Sequence, residues 1–182
     1  MRLVEQTTLA ELDGVDLRLL SVLQDDCRTS LTRLGEIVGL SAPAVLERVK
    51  KLESAGIISG YHAVLDARRL GLDVTAFIGV TASQPDCIDE TEQQLGALED
   101  VLECHHVTGS YSLLLKVKTA NTSSLERLIR SIRGLTGVAQ TETLVVLSTQ
   151  TERTQLALHP AAAGNGRRTR RSGDRNGRQR RA

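Results

Sequence analysis

The chain has 182 residues, of which 40% are hydrophobic, and a net charge of +1, so it holds enough apolar material for one ordinary domain or two small ones. No apolar run reaches the ~20 residues of a membrane span, and the opening MRLVEQTTLAELDG is acidic and lacks the apolar core of a secretory signal. Cys27, Cys87 and Cys104 form no C-x-x-C pair, which argues against a disulfide framework and for a reduced, cytoplasmic setting.

Residues 1–11 read as an N-terminal extension. Over 12–26, LDGVDLRLLSVLQDD, the 3.6-residue period places Val15, Leu19, Val22 and Leu23 on one helical face, with Asp13 or Asp16 favouring the first turn. Ser30 then caps LTRLGEIV, whose apolar set is Leu31, Leu34, Ile37 and Val38. Gly35 sits inside that helix. A mid-helix glycine is about 1 kcal/mol worse than alanine, and here it predicts the close approach of another helix. Gly39 is placed to end the helix. In LSAPAVLERVKKLESAG, Ser41 is the cap and Pro43 sits in the first turn, where backbone N–H groups have no partner in the helix. Ala42, Val45, Leu46, Val49 and Leu52 share one face. Pro43, Ala44, Glu47, Lys50, Lys51 and Ser54 face away, Arg48 lies on the flank, and Glu47 and Lys51 are spaced to pair. Gly56 stops the helix. Residues 12–58 therefore predict a winged or three-helix helix-turn-helix domain, and 59–73 an extended linker.

From Val74 the period changes to two. VTAFIGVTA, VLECHHVT, SLLLKVKT and VAQTETLVVLS read as strands, with IDETEQQLGAL and SSLERLIRSIRGL as the helices between them. The order β-α-β-β-α-β over 74–158 is ferredoxin-like, which makes the whole chain α+β. The strands carry apolar residues on both faces: Leu113, Leu115 and Val117 point one way and Leu114 the other, and Phe77 opposes Ala76 and Ile78. Two helices cover one face, so the second is expected to meet another subunit in a homo-oligomer.

Residues 159–182 are rich in Arg, Gly and Asn without hydrophobic periodicity and are expected to be disordered. The stretch RRTRRSGDRNGRQRRA, 167–182, holds eight arginines and one aspartate, a balance of +7 that leaves −6 on the rest of the chain. Such a tail is either a solubilising extension or an arm for nucleic acid.

Three short helices with a tight VGLS turn before the third look like a helix-turn-helix, whose second element enters the major groove. The alternative is a small helical core whose charges face only water. The L-D-x-x-D opening, Arg28, G-L-S, the R-V-x-x-L-E of 48–53 and the G-I-I-x-G-Y of 56–61 together resemble the DNA-binding half of the Lrp/AsnC (leucine-responsive, feast/famine) family of transcriptional regulators. The second half resembles that family's effector and oligomerisation domain, and the resemblance runs from about Leu12 to Leu158. It implies a homodimer, often assembled to an octamer, that binds double-stranded operator DNA and responds to an amino acid. No membrane partner is expected.

On that basis the DNA-contacting residues are expected among Arg33, Ser41, Ala42, Pro43, Ala44, Glu47, Arg48, Lys50 and Lys51. The tip, Ser41 to Ala44, offers no Arg, Asn or Gln for a bidentate base contact, whereas Arg48, Lys50 and Lys51 suit phosphates or a flanking guanine. Readout is then modest, with a large share from DNA shape. The loop Thr108, Gly109, Ser110, Tyr111, Ser112 matches the family's effector loop, which usually reads G-x-x-D. Ser112 stands where the acid is expected, so it offers a hydrogen bond but no charge for an ammonium group. Thr141 and Thr143 are weaker candidates to line the pocket from a neighbouring subunit.

Cys104, His105 and His106 alternate along a strand and do not converge on a metal. No nucleophile–base pair, phosphate loop or dinucleotide fingerprint is present, so no enzyme, cofactor or metal is expected. The expected function is a cytoplasmic, nucleoid-associated transcriptional regulator. The alternatives are an architectural DNA-binding protein without an effector and, on fold analogy alone, a regulatory subunit of an enzyme.

Overall fold

The computed structural model describes residues 12–84, 86 and 88–158. The predicted extension 1–11 and tail 159–182, with Pro85 and Cys87, lie outside the described residues. Two units are described separately: residues 12–61 with 155–158, and residues 62–154.

The first unit is built from three helices. Asp13 caps α1 (Gly14–Asp25) through a reciprocal box: its Oδ1 accepts from the backbone N–H of Val15 and Asp16 at 2.9 and 2.8 Å, and Asp16 Oδ2 accepts from the Asp13 N–H at 3.2 Å. Ser30 Oγ caps α2 (Leu31–Val38) at Arg33 N, and Ser41 Oγ caps α3 (Ala42–Ser54) at Ala44 N. Leu19, Leu34, Val45 and Val49 form the core, with Val15, Val22, Leu23, Leu31, Val38, Leu40 and Ile58 packed around it. Each such side chain contributes roughly 1.5–3 kcal/mol when fully buried. Among the described residues of this unit there is no strand, so the three-helix form of the motif is adopted and not the winged one.

Gly35 is not at a helix–helix crossing. A Cβ on it would lie 2.4 Å from the carbonyl oxygen of Leu40, in the turn that leads to α3. Gly39 takes φ +75°, and both its N–H and that of Leu40 donate to the Gly35 carbonyl, at 2.8 and 2.9 Å. Residues 155–158 run beside the end of α1: Leu156 exchanges two hydrogen bonds with the Gln24 amide, at 2.7 and 3.2 Å.

The second unit begins with a single 3-10 turn, Arg68–Leu70, inside the stretch expected to be fully extended. It continues through β1 (Val74–Ala82), α4 (Ile88–Gly96), β2 (Val101–His106), β3 (Leu113–Thr119), α5 (Thr122–Arg133) and β4 (Val138–Val145). The sheet is antiparallel in the order β2-β3-β1-β4. β2 stops two residues before the predicted end, because the chain turns at Gly109 with φ +123°. One face carries Ala76, Ile78, Val80, Leu113, Leu115 and Val117, all fully buried against Leu95, Leu125, Leu128 and Ile132. Register puts Phe77, Leu114 and Leu144 on the other face, where Leu144 is 53% exposed. No helix among the described residues is long and apolar enough to cross a membrane.

Candidate nucleic-acid interface and ligand loop

At the start of α3, Ser41 and Pro43 are exposed while Ala42 and Ala44 are half-buried; Glu47, Lys50 and Lys51 follow on the solvent side. Glu47 and Lys51 do not pair as their spacing predicts, and Lys50 also has no ion-pair partner among the described residues. Both lysines are thus available to a polyanion. The two arginines have carboxylate partners within the chain. Arg33 pairs with Glu36 at 2.7 Å. Arg48, expected on a phosphate or guanine, donates from Nη1 to Asp13 Oδ2 at 2.7 Å and Asp16 Oδ1 at 2.8 Å. It ties the middle of α3 to the cap of α1, and Asp16 is only 6% exposed.

The Asp16 backbone N–H, followed by the Arg48 guanidinium, holds the Asp13 carboxyl below the usual aspartate range. A depressed folded value means this stabilisation is fully present above the unfolded pKa, near pH 4, and is lost as pH falls through the lower folded value. Arg48→Ala is expected to destabilise the helical unit, since it removes the charged donor that bridges Asp13 and Asp16, with water screening the exposed part of the pair. Urea denaturation at pH 7 and at pH 3 checks this. The difference between wild type and variant should shrink at pH 3, and a difference independent of pH would refute the account.

Tyr61, the last residue of the G-I-I-x-G-Y stretch, also serves the fold. Tyr61 Oη donates to Glu53 Oε1 at 2.9 Å, and burial followed by this carboxylate pushes its hydroxyl up to about 12.

The loop between β2 and β3 is held at its base. Val107 N–H donates to Ser112 O at 3.1 Å, and Ser112 N–H to Val80 O at 2.9 Å. Ser112 Oγ accepts from Ala82 N–H at 3.2 Å, where the β1–β4 register shifts. Thr108, Gly109 and Ser110 are exposed at the tip. The Tyr111 ring lies across Gly79: a Cβ there would stand 2.6 Å from its Cγ and Cδ1. Its hydroxyl donates to Glu142 Oε2 at 2.6 Å, and that carboxylate raises the phenol above its ordinary pKa. Glu142 was missing from the expected set, because a contact between residues 31 apart leaves no periodic signal.

Thr141 and Thr143 are not brought to this loop within one chain. They pair with Val80 and Ile78 and so share the helix-covered face, where Thr141 is 8% exposed and accepts from Arg133 Nε at 2.8 Å. Glu142, between them, points to the open face beside Tyr111. Cys27 and Cys104 are free, and no metal-binding group of His, Cys, Asp and Glu occurs among the described residues.

A family model for the AsnC-type helix-turn-helix domain matches residues 12–53, and one for the Lrp/AsnC ligand binding domain matches residues 75–156. The chain belongs to the Lrp/AsnC family. It is 36% identical over 139 residues to the leucine-responsive regulatory protein of Haemophilus influenzae, a match covering 75% of this chain and 84% of that one. The solved structure of E. coli AsnC superposes with a TM-score of 0.75 at 32% identity, covering 79% of this chain and 97% of that one. A transcriptional regulator of Neisseria meningitidis, solved as its L-Met complex, gives 0.77 at 29% identity, covering 80% and 96%. These Lrp/AsnC relatives are transcriptional regulators, not enzymes. Both family models end before the arginines at 167–181.

Proposed function

We propose that this Lrp/AsnC chain is a transcriptional regulator that binds double-stranded DNA through the outer face of α3 and responds to a small amino-acid-like effector at the β2–β3 loop. The observation that carries the reading is the α2–turn–α3 geometry: Gly39 in the left-handed region and Gly35 under the Leu40 carbonyl set α3 with Lys50 and Lys51 exposed and without ion-pair partners among the described residues. The half-exposed sheet face supports a homodimer, with octameric assembly as in the family expectation. Phe77, Leu114 and Leu144 make an apolar centre, and Lys116, held at 2.6 Å by Glu152 and 3.2 Å by Glu103, stands at its edge.

Lys50→Ala and Lys51→Ala are each expected to weaken DNA binding on all sequences and to reduce the salt slope by about 1. Fluorescence anisotropy across a salt series measures this, and unchanged slopes in both variants would remove α3 from the interface. For the effector, isothermal titration with a panel of amino acids should give heat for at least one; silence across the panel would argue against it. The small tip of α3 keeps the architectural alternative in play. A ratio of specific to non-specific affinity near unity at physiological salt would favour it, and about 10³ or more would exclude it.

A further inference from the structure

We infer that Glu47 is the base-reading residue of α3, accepting a hydrogen bond from the N4 amino group of a cytosine in the major groove; this deepens, and rests on, the DNA-binding reading above. The cap and first two turns of α3, residues 41–49, carry polar side chains only at Ser41, Glu47 and Arg48. Ser41 Oγ is engaged as the cap, accepting from the Ala44 N–H at 3.4 Å. Arg48 Nη1 donates to Asp13 Oδ2 and Asp16 Oδ1, at 2.7 and 2.8 Å. Glu47 is exposed. Among the described residues its carboxylate has no hydrogen-bond or ion-pair partner, although Lys51 stands at the favourable i+4 spacing.

Its place on the helix fits the task. At 3.6 residues per turn, Glu47 falls in the middle of the outward stripe, with Pro43 and Ala44 a turn before it and Lys50 and Lys51 a turn after it. Pro43 and Ala44 are small and have no side-chain polar group, so nothing ahead of Glu47 competes for a base edge. The two exposed lysines beyond it suit the phosphates that flank the groove. A carboxylate only accepts hydrogen bonds. In the major groove cytosine presents a donor, N4. Guanine presents the acceptors O6 and N7, thymine the acceptor O4, and adenine sets its N6 donor beside the acceptor N7. Opposite cytosine, Glu47 gains a charge-assisted hydrogen bond. Opposite guanine or thymine it loses water and meets only acceptors, which costs affinity. The selectivity is therefore largely rejection of the wrong base pair.

The test uses the full chain. Preferred duplexes are selected from a random pool with the unaltered protein, with Glu47→Ala and with Glu47→Gln, and singly substituted duplexes are then compared by anisotropy. In the unaltered protein, replacing the cytosine of one C·G pair in each half-site should weaken binding roughly fivefold to fiftyfold. Glu47→Gln should move the preference at that position from cytosine to adenine, because an amide pairs with adenine N6 and N7 together. Glu47→Ala should lose the preference there, keep it elsewhere, and bind a random duplex more tightly, since a negative charge has left the helix. Urea midpoints of both variants should match wild type, because the side chain has no partner to lose. Unchanged base preference at every position in both variants overturns the inference. So does a loss of preference at all positions together with a lowered urea midpoint, which would make Glu47 a structural residue. An unaltered chain that binds duplexes with no base preference removes Glu47 as a reader and leaves DNA binding standing. If the unaltered chain binds no duplex, the DNA-binding reading itself fails, and base reading with it.

Discussion

Gly35→Ala should lower the stability of the helical unit by about 2 kcal/mol and, on the proposed function, remove most DNA binding. Propensity alone predicts the reverse, because alanine in a helix interior is about 1 kcal/mol better than glycine. The new Cβ decides the sign. It would lie 2.4 Å from the Leu40 carbonyl oxygen, an atom of the backbone and not the end of a yielding side chain. That backbone is pinned, since the N–H groups of Gly39 and Leu40 both donate to Gly35. Overpacking typically costs about 1–3 kcal/mol, and a contact against fixed backbone belongs at the upper end. Relief requires the turn to open, which swings α3 and its lysines away from their present bearing. Urea denaturation and duplex-binding anisotropy measure the two effects. A variant as stable as wild type, with unaltered affinity, would show that the turn yields freely.

The second large effect is at Gly79. Gly79→Val should destabilise the sheet unit by about 2 kcal/mol, despite the up to ~1 kcal/mol by which valine suits a strand better than glycine. The valine would occupy the place of the Tyr111 ring, whose Cγ, Cδ1 and Cε1 all fall within 2.7 Å of the new Cβ. Displacing the ring breaks the hydrogen bond to Glu142 and frees the loop that the ring anchors across β1. Loss of effector response should therefore accompany the loss of stability. Tyr111→Phe, which keeps the ring and removes only the hydroxyl, should show a smaller fall in stability and retain part of the response. Calorimetric melting and effector titration of both variants compare them. Equal damage from the two would assign the role to the hydroxyl and not to the ring.

The parts of this protein that follow a period or a local rule could be read before any coordinates. Ser30 and Ser41 cap the helices they precede, Gly39 turns between them, and the alternation along β3 divides Leu113, Leu115 and Val117 from Leu114 as a two-residue repeat requires. What could not be read depends on which distant residues meet. Arg48 has the position of a phosphate-binding residue on a helical wheel, yet its partners are 32 and 35 residues away at the cap of another helix. Gly35 was correctly singled out as a point of close approach, but the approaching group is a carbonyl, which no side-chain pattern encodes. Tyr111, Gly79 and Glu142 lie on three separate elements or their loops, and only the register of β1 with β4 brings them together. Strand ends failed for a related reason: β2 stops where Gly109 bends the chain, although the residues beyond it still suit a strand.

The Ser112 hydroxyl is bonded to the Ala82 N–H. Position 112 serves two separable ends. One is to supply a short side-chain oxygen that satisfies a strand donor where the register slips, which serine and aspartate do alike. The other, on the proposed effector reading, would be a charge for an incoming ammonium group, which only a carboxylate supplies. An Asp at position 112 would therefore add a negative charge to the loop while still offering an acceptor to the Ala82 N–H, so the bond that fastens the strand end and the charge offered to solvent can be varied independently of one another.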